Sequence, residues 1–136
     1  MMRVNIAIMA HNGKKELMVQ FCIAYCGILS QHQLCATNTT GKLVSDATGL
    51  DIELYLSGAQ GGVQQIGARI AYNEIDLVLF FCDPYGKEDY RPADTISKLC
   101  DQHNIPFASN VATAEVLIQG LRRGDLDWRD IVNPKD

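Results

Sequence analysis

Apolar residues recur along the chain in two alternating patterns, short β-type runs and longer segments with helical spacing. The most apolar run is Ile75 to Cys82, which is almost continuous. β-Type runs bounded by polar and glycine residues predict strands at residues 4–10, 33–36, 51–56, 75–82 and 105–108. Apolar residues three or four apart predict helices at residues 14–29, 43–48, 63–72, 93–103 and 112–121.

This alternation of strands and helices predicts the α/β class, a three-layer α/β/α structure with an open parallel five-stranded sheet. Helical crossovers between successive strands make the strands parallel and cover both faces of the sheet. We expect residues 1–136 to form a single domain, because 136 residues suffice for one core. Residues 124–136 are polar and weakly patterned, and we interpret them as a docking tail or a frayed end.

The charge balance restricts the classes of partner. Lys and Arg number 12 and Asp and Glu number 16, so the formal net charge is −4. A mildly acidic chain argues against nucleic acid as a partner, which requires a basic face. No window approaches the ~20 apolar residues of a membrane helix, and the N-terminus has no apolar signal region. We therefore expect an intracellular soluble domain without a membrane partner, which binds any anion at one local site.

The cysteines and histidines do not predict a metal site. The cysteine count is odd and no CxxC pair occurs, which argues against a disulfide framework or a zinc knuckle. Cys22 and Cys26 are four residues apart in a helical stretch, and we interpret them as core thiols in preference to half of a metal site. His11, His32 and His103 show no metal-ligand spacing. We expect neither a metal nor a cofactor.

Polar and small residues follow the first four predicted strands. The carboxyl ends of parallel strands meet at one edge of the sheet, where open α/β sheets bind ligands. Hydroxyl groups, glycines and helix N-termini suit a phosphate group, and Lys15 would add a positive charge. The candidate phosphate-binding residues are His11, Asn12, Lys15, Thr37, Asn38, Thr39, Thr40, Ser57 and Gly58. Asp83 ends the fourth strand at the same edge.

Blocks of sequence at these positions resemble the methylglyoxal synthase family. They keep their order and spacing between about residues 4 and 118, and they are Ala10–Lys15, Ala36–Gly41, Leu56–Gln65, Phe80–Pro84, Asn104–Pro106 and Ser109–Ala114. The resemblance implies the methylglyoxal synthase-like fold, which also occurs as the ligand-sensing allosteric domain of carbamoyl phosphate synthetase. It further implies a cytoplasmic, metal-free homohexamer that removes phosphate from dihydroxyacetone phosphate and leaves methylglyoxal.

The resemblance also implies roles for individual residues. In the family's reaction a carboxylate takes a proton next to the carbonyl to give an enediolate, a histidine polarises the carbonyl oxygen, and phosphate then leaves. His11 and Asp83 match the family's histidine after the first strand and its aspartate after the fourth. The family's phosphate-binding positions correspond to Lys15, Thr37, Asn38, Thr39, Thr40, Ser57 and Gly58.

Several positions depart from the family's pattern. Val63 stands where the family has its proton-abstracting aspartate, and Tyr90 aligns with its catalytic histidine. A further loop aspartate of the family falls near Ala93, beside Asp94, and Asn12 replaces an aspartate. The family's longer C-terminal tail carries an arginine that reaches a neighbouring subunit, and the sequence ends at residue 136 without a match to it.

Three hypotheses follow. In the first, the protein binds inorganic phosphate or a small phosphorylated ligand such as dihydroxyacetone phosphate, and lyase activity is lost or weak because Val63 cannot accept a proton. In the second, it is an active methylglyoxal synthase that uses Asp83 and His11. In the third, it is an assembly or partner-binding protein without a ligand. We interpret the charged loop around Tyr85 and Tyr90 as solvated and mobile, with an aromatic partner surface as the alternative.

Overall fold

The computed structural model of the protein describes residues 3–132. One sheet of five parallel strands has the order β3-β2-β1-β4-β5. The strands are β1 Asn5–Ala10, β2 Gln33–Ala36, β3 Ile52–Leu54, β4 Leu77–Phe81 and β5 Phe107–Ala108. The helices are α1 Lys15–Ala24, α2 Cys26–Leu29, α3 Asn38–Thr48, α4 Gly62–Ala71, α5 Arg91–His103, α6 Val111–Arg123 and α7 Trp128–Val132. The predicted α/β fold with an open parallel five-stranded sheet is confirmed.

Helices cover both faces of the sheet. Side chains alternate along β1, so that Ile6 and Ile8 belong to a core cluster with residues of α1, α3 and α6, whereas Ala7 and Met9 pack with α4 and α5. The two central strands β1 and β4 are almost entirely buried, which accounts for the continuous apolar run at residues 75–82. The single domain over residues 1–136 stays a prediction, since residues 1, 2 and 133–136 lie outside the described part of the chain.

Helix α3 begins at Asn38, five residues before the predicted start at residue 43. The polar residues 38–40 suggested a loop, but Thr37 is extended and the amide of Gly41 donates to the Thr37 carbonyl, at 2.8 Å. Gly41 lies against the Leu54 side chain, which a Cβ at that position would strike. The glycine thus allows the first turn of α3 to approach the edge of the sheet.

Two further predictions need correction. The predicted helix 14–29 is divided at Tyr25, whose backbone angles (φ −111°, ψ 23°) are not helical, into α1 and α2. The prediction of a frayed end is wrong for residues 128–132. These residues form α7, in which Arg129 is buried. Cys22 lies in the core, and Cys26 packs against the core half-buried, as expected for core thiols.

The path of the chain places a crevice beside β1. The chain runs outward from β1 to β2 and β3, and then returns to the other side of β1 at β4. At such a reversal the connections after the two neighbouring strands diverge, and the carboxyl ends leave a ligand-sized gap. Within residues 3–132, no helix is long and apolar enough to cross a lipid bilayer.

Candidate functional site

A cavity of about 400 Å³ opens at the carboxyl ends of the central strands. Residues that follow β1, β2 and β3 line it together with the loop after β4. The lining residues are Met9, Ala10, His11, Asn12, Lys15, Thr37, Thr39, Ser57, Gly58, Ala59, Val63, Phe80, Glu88, Asp89 and Pro92. The structure thus brings together all of the predicted phosphate-binding residues except Asn38 and Thr40.

Two helical N-termini face this cavity without side-chain caps. Thr37 precedes α3, and Ser57 precedes a single 3-10 turn at Gly58–Gln60. Within the described residues, neither hydroxyl caps its helical segment, whereas Asn110 caps α6 by accepting from the Thr113 amide at 3.0 Å. The Thr37 and Ser57 hydroxyls therefore remain available to a ligand at the positive ends of their helical segments.

Asn38 and Thr40 are not among the residues that line the cavity. Asn38 is the first residue of α3, and its amide donates to the Leu56 carbonyl at 3.2 Å. Thr40 is 1% exposed, and its hydroxyl has no hydrogen-bond partner among residues 3–132. A phosphate role for these two residues stays a prediction.

Lys15 contributes the positive charge of the cavity. It is the first residue of α1, and its Nζ donates to the Ala10 carbonyl at 2.7 Å. Burial lowers the pKa of Lys15, and the nearby Glu88 carboxylate acts against that shift. A half-buried ammonium at the wall of an open cavity is a suitable counter-charge for phosphate.

His11 is buried and held in one orientation. Its Nδ1 accepts a hydrogen bond from the Asp83 amide at 2.9 Å, so the neutral ring carries its proton on Nε2. The ring makes edge contacts with Phe80 and Tyr90, at centroid distances of 5.6 and 5.2 Å. His11 can therefore donate from Nε2 to a carbonyl oxygen of a ligand.

Asp83, the carboxylate that the second hypothesis invokes, is not part of the cavity lining. Its Oδ1 accepts from the Tyr85 amide at 3.0 Å. Its Oδ2 lies so close to Gly13 that a Cβ there would strike it. The carboxylate shapes the turn after β4, and the amide of the same residue orients His11.

Val63 and Tyr90 stand at two of the positions that depart from the family's pattern. Val63 is the second residue of α4. It lines the cavity and packs into the apolar cluster that includes Met9 and Ile66. Its side chain can neither accept nor donate a proton. Tyr90 lies outside the lining and presents its ring to the His11 imidazole.

Two acidic residues of the cavity, Glu88 and Asp89, were not among the site residues predicted from the sequence. Glu88 Oε1 accepts a hydrogen bond from the Asn12 amide. Asp89 is paired with Arg91, whose Nη2 lies 2.7 Å from Asp89 Oδ2, and this partner lowers the pKa of Asp89. The available signal was their place in the loop after β4, at the edge of the sheet where the other candidates lie. Residues 3–132 contain no group of three or more His, Cys, Asp or Glu that could hold a metal ion.

Similarity to known proteins identifies the family. The family model described as MGS-like domain matches residues 17–109, which is more than half of the chain. The chain belongs to the methylglyoxal synthase-like family. The resemblance that the sequence blocks indicated is thus confirmed.

Relatives of this MGS-like chain include proteins named methylglyoxal synthase. One from Caldicellulosiruptor saccharolyticus is 58% identical, with 97% of this chain and 94% of the relative aligned. One from Oceanobacillus iheyensis is 50% identical, with 97% and 95% aligned. A crystal structure of methylglyoxal synthase from Elizabethkingia anophelis NUHP1 matches with a TM-score of 0.80 and 38% identity, over 85% of this chain and 77% of that one.

Proposed function

We propose that this MGS-like protein is a phosphate lyase that converts dihydroxyacetone phosphate to methylglyoxal and inorganic phosphate. The observation that carries the proposal is one cavity that joins Lys15, the uncapped hydroxyls of Thr37 and Ser57, and the oriented imidazole of His11. The relatives named methylglyoxal synthase support this second hypothesis better than binding without turnover.

Different residues of the cavity bind the phosphate group and the carbonyl oxygen of the substrate. Lys15, the two hydroxyls and the backbone amides at the helical N-termini bind the phosphate group. His11 donates from Nε2 to the carbonyl oxygen and stabilises the negative charge that develops there. Removal of a proton from the neighbouring carbon gives an enediolate, from which phosphate leaves. The reaction is redox-neutral, so its electrons balance without a redox cofactor.

The hydrogen bonds of Asp83 favour a different role from the catalytic one predicted from the sequence. Its amide donates to His11 Nδ1 and its carboxylate accepts from the Tyr85 amide, so we assign Asp83 a positioning role. The proton acceptor then has to come from the cavity lining, where Val63 offers none.

A second candidate function is the first hypothesis, phosphate binding without efficient turnover. The specific observation in its favour is the isopropyl group of Val63 at the cavity wall. Its predicted outcome is that phosphate binds, that the natural protein forms no methylglyoxal above background, and that Val63→Asp gains activity.

A methylglyoxal assay with dihydroxyacetone phosphate, run beside calorimetric titration with inorganic phosphate, separates these functions. Methylglyoxal formation by the natural protein supports the lyase. Binding without product contradicts the lyase and supports the second candidate. Absence of both supports the third hypothesis, an assembly protein in which Lys15→Ala and Thr39→Ala change nothing.

The proposal also covers the oligomeric state, the location and the partner of the protein. The family resemblance supports a homohexamer in the cytoplasm whose partner is the small phosphorylated molecule and not nucleic acid or a membrane. Analytical ultracentrifugation of the purified chain tests the oligomeric state, because a hexamer and a monomer of 15.0 kDa differ sixfold in mass.

A further inference from the structure

We propose that the Glu88 carboxylate takes the proton from the carbon next to the substrate carbonyl. This inference rests on the proposed function, since it supplies the base that the lyase requires. It names a residue that neither the sequence blocks nor the aligned family positions indicated.

Elimination among the carboxylates favours Glu88. The lining of the cavity includes two acidic residues, Glu88 and Asp89. Asp89 is held by Arg91 through both Nε (2.8 Å) and Nη2 (2.7 Å), which makes it a weak base. Asp83 lies outside the lining and is engaged by the Tyr85 amide.

The contacts of Glu88 place it beside the groups that the reaction needs. Its Oε1 accepts from the Asn12 amide, directly after His11 in the chain. Its charge also acts on Lys15, three residues further along. The proton acceptor, the donor to the carbonyl oxygen and the phosphate counter-charge therefore gather around one short turn, residues 11–15. Among residues 3–132, the Asn12 bond is the one hydrogen bond found for this carboxylate, so Oε2 is available to the substrate.

The atoms and electrons of this step balance. A C–H bond of the hydroxymethyl carbon breaks, its proton moves to a Glu88 oxygen, and the electron pair forms the double bond of the enediolate beside His11. The C–O bond to phosphate then breaks, while the proton of the enediol hydroxyl leaves with the phosphate. Protonated Glu88 returns its proton to the terminal CH₂ carbon, which yields the methyl group of methylglyoxal.

Glu88→Gln tests the proposal, because the amide oxygen still accepts from Asn12 while the base is removed. We expect kcat for methylglyoxal to fall about 10²–10⁴-fold with little change in KM or phosphate affinity. Deuterium uptake from D₂O into dihydroxyacetone phosphate should fall in parallel, because both readouts require the same proton transfer. Glu16→Gln is the matched control, since Glu16 is exposed on α1 and outside the lining.

The outcomes separate this inference from the proposed function. If the natural protein forms methylglyoxal and Glu88→Gln does so equally fast, Glu88 is not the base and the lyase stands. If the natural protein exchanges deuterium through Glu88 but releases no methylglyoxal, the base stands and the lyase is overturned. If it does neither, both are overturned. A rate loss in Glu88→Gln that leaves deuterium uptake unchanged also overturns the proposal, because it indicates a structural role.

Discussion

The polar groups at the two ends of the parallel strands differ in how they are bonded. At the carboxyl ends, Lys15, Thr37 and Ser57 line an open cavity, and the two hydroxyls make no cap bonds within the described chain. At the amino ends, Asp76 and Arg129 are almost completely buried and bonded to one another. One end holds polar groups ready for a ligand, whereas the other end satisfies them within the protein.

Arg129 connects α7 to the amino end of β4. Its Nε lies 3.2 Å from Asp76 Oδ1. Its remaining guanidinium nitrogens donate to the carbonyls of His103 (3.0 Å), Asn104 (2.9 Å) and Ile75 (3.4 Å) and to Asn73 Oδ1 (2.7 Å). Asp76 Oδ2 in turn accepts from the Asn5 amide at 2.9 Å. The residues that stabilise the fold and the residues that bind the ligand therefore lie at opposite ends of the strands. Substitutions at the amino end should change stability, and substitutions at the carboxyl end should change ligand binding.

The largest expected effect on stability is at the amino end. Arg129→Leu should lower the free energy of unfolding by about 3–5 kcal/mol, because it removes the guanidinium group that pairs with the buried Asp76 carboxylate. Urea denaturation measures this change. Arg122→Leu is the control, since Arg122 is exposed and bonds to Gln119, and it should cost less than about 0.5 kcal/mol. Equal losses in the two variants would contradict the role given to Arg129.

The corresponding change at the carboxyl end should affect binding. Lys15→Met removes a charged hydrogen-bond donor worth about 1.5–3 kcal/mol, so affinity for inorganic phosphate should fall about 10–100-fold. Calorimetric titration measures the affinity, with Lys42→Met on the exposed side of α3 as the control. If both variants bind phosphate as the natural protein does, the anion does not use this cavity.

An acid-sensitive group lies at the amino end as well. His32 is 4% exposed, and its Nδ1 accepts from the Val4 amide at 3.1 Å. Burial and then the charge of Arg3 lower its pKa, against the opposing effects of Asp127 and Asp76. The unfolded chain therefore binds a proton first, and stability should fall as the pH drops below the ordinary value of 6.5, by at most about 1.4 kcal/mol per pH unit. His32→Asn keeps an acceptor and should flatten this part of the stability profile, and an unchanged slope would contradict the assignment.

The smallest expected effect compares two helix N-termini. Asn110→Ala removes the side-chain cap of α6 and should cost about 1 kcal/mol of unfolding free energy. Thr37→Val at the N-terminus of α3 loses no side-chain cap bond and should cost less, while weakening phosphate binding. Thermal unfolding and titration of both variants test this, and a larger stability loss in Thr37→Val would show that the hydroxyl is structural.

The sequence predicted the parts of the molecule that depend on short apolar runs and on the alternation of strands with helices. The central strands, the sheet type and the strand ends that carry Lys15 and Ser57 follow from apolar runs and from the rule that parallel strands end at one edge. The start of α3 escaped prediction because polar residues 38–40 are equally common in loops, and only Gly41 against Leu54 shows how closely the helix approaches.

Two further features depend on contacts distant in sequence. Arg129 is one charged residue in a polar tail, and its burial requires Asp76, more than fifty residues earlier. Glu88 lies in a charged loop, which the sequence indicated as a solvated segment or an aromatic partner surface and not as part of the site. Its contact with the Asn12 amide, 76 residues away in the chain, brings it to the cavity.

The buried thiols also have a chemical consequence. Burial raises the pKa of Cys22 and Cys100 to about 12, and that of Cys35 and Cys82 to about 11. These sulfurs therefore remain protonated at neutral pH and shielded from electrophiles while the chain is folded. Alkylation of these four side chains should then proceed only as the protein opens, so that mass spectrometry of their labelling rates reports local unfolding on each face of the sheet.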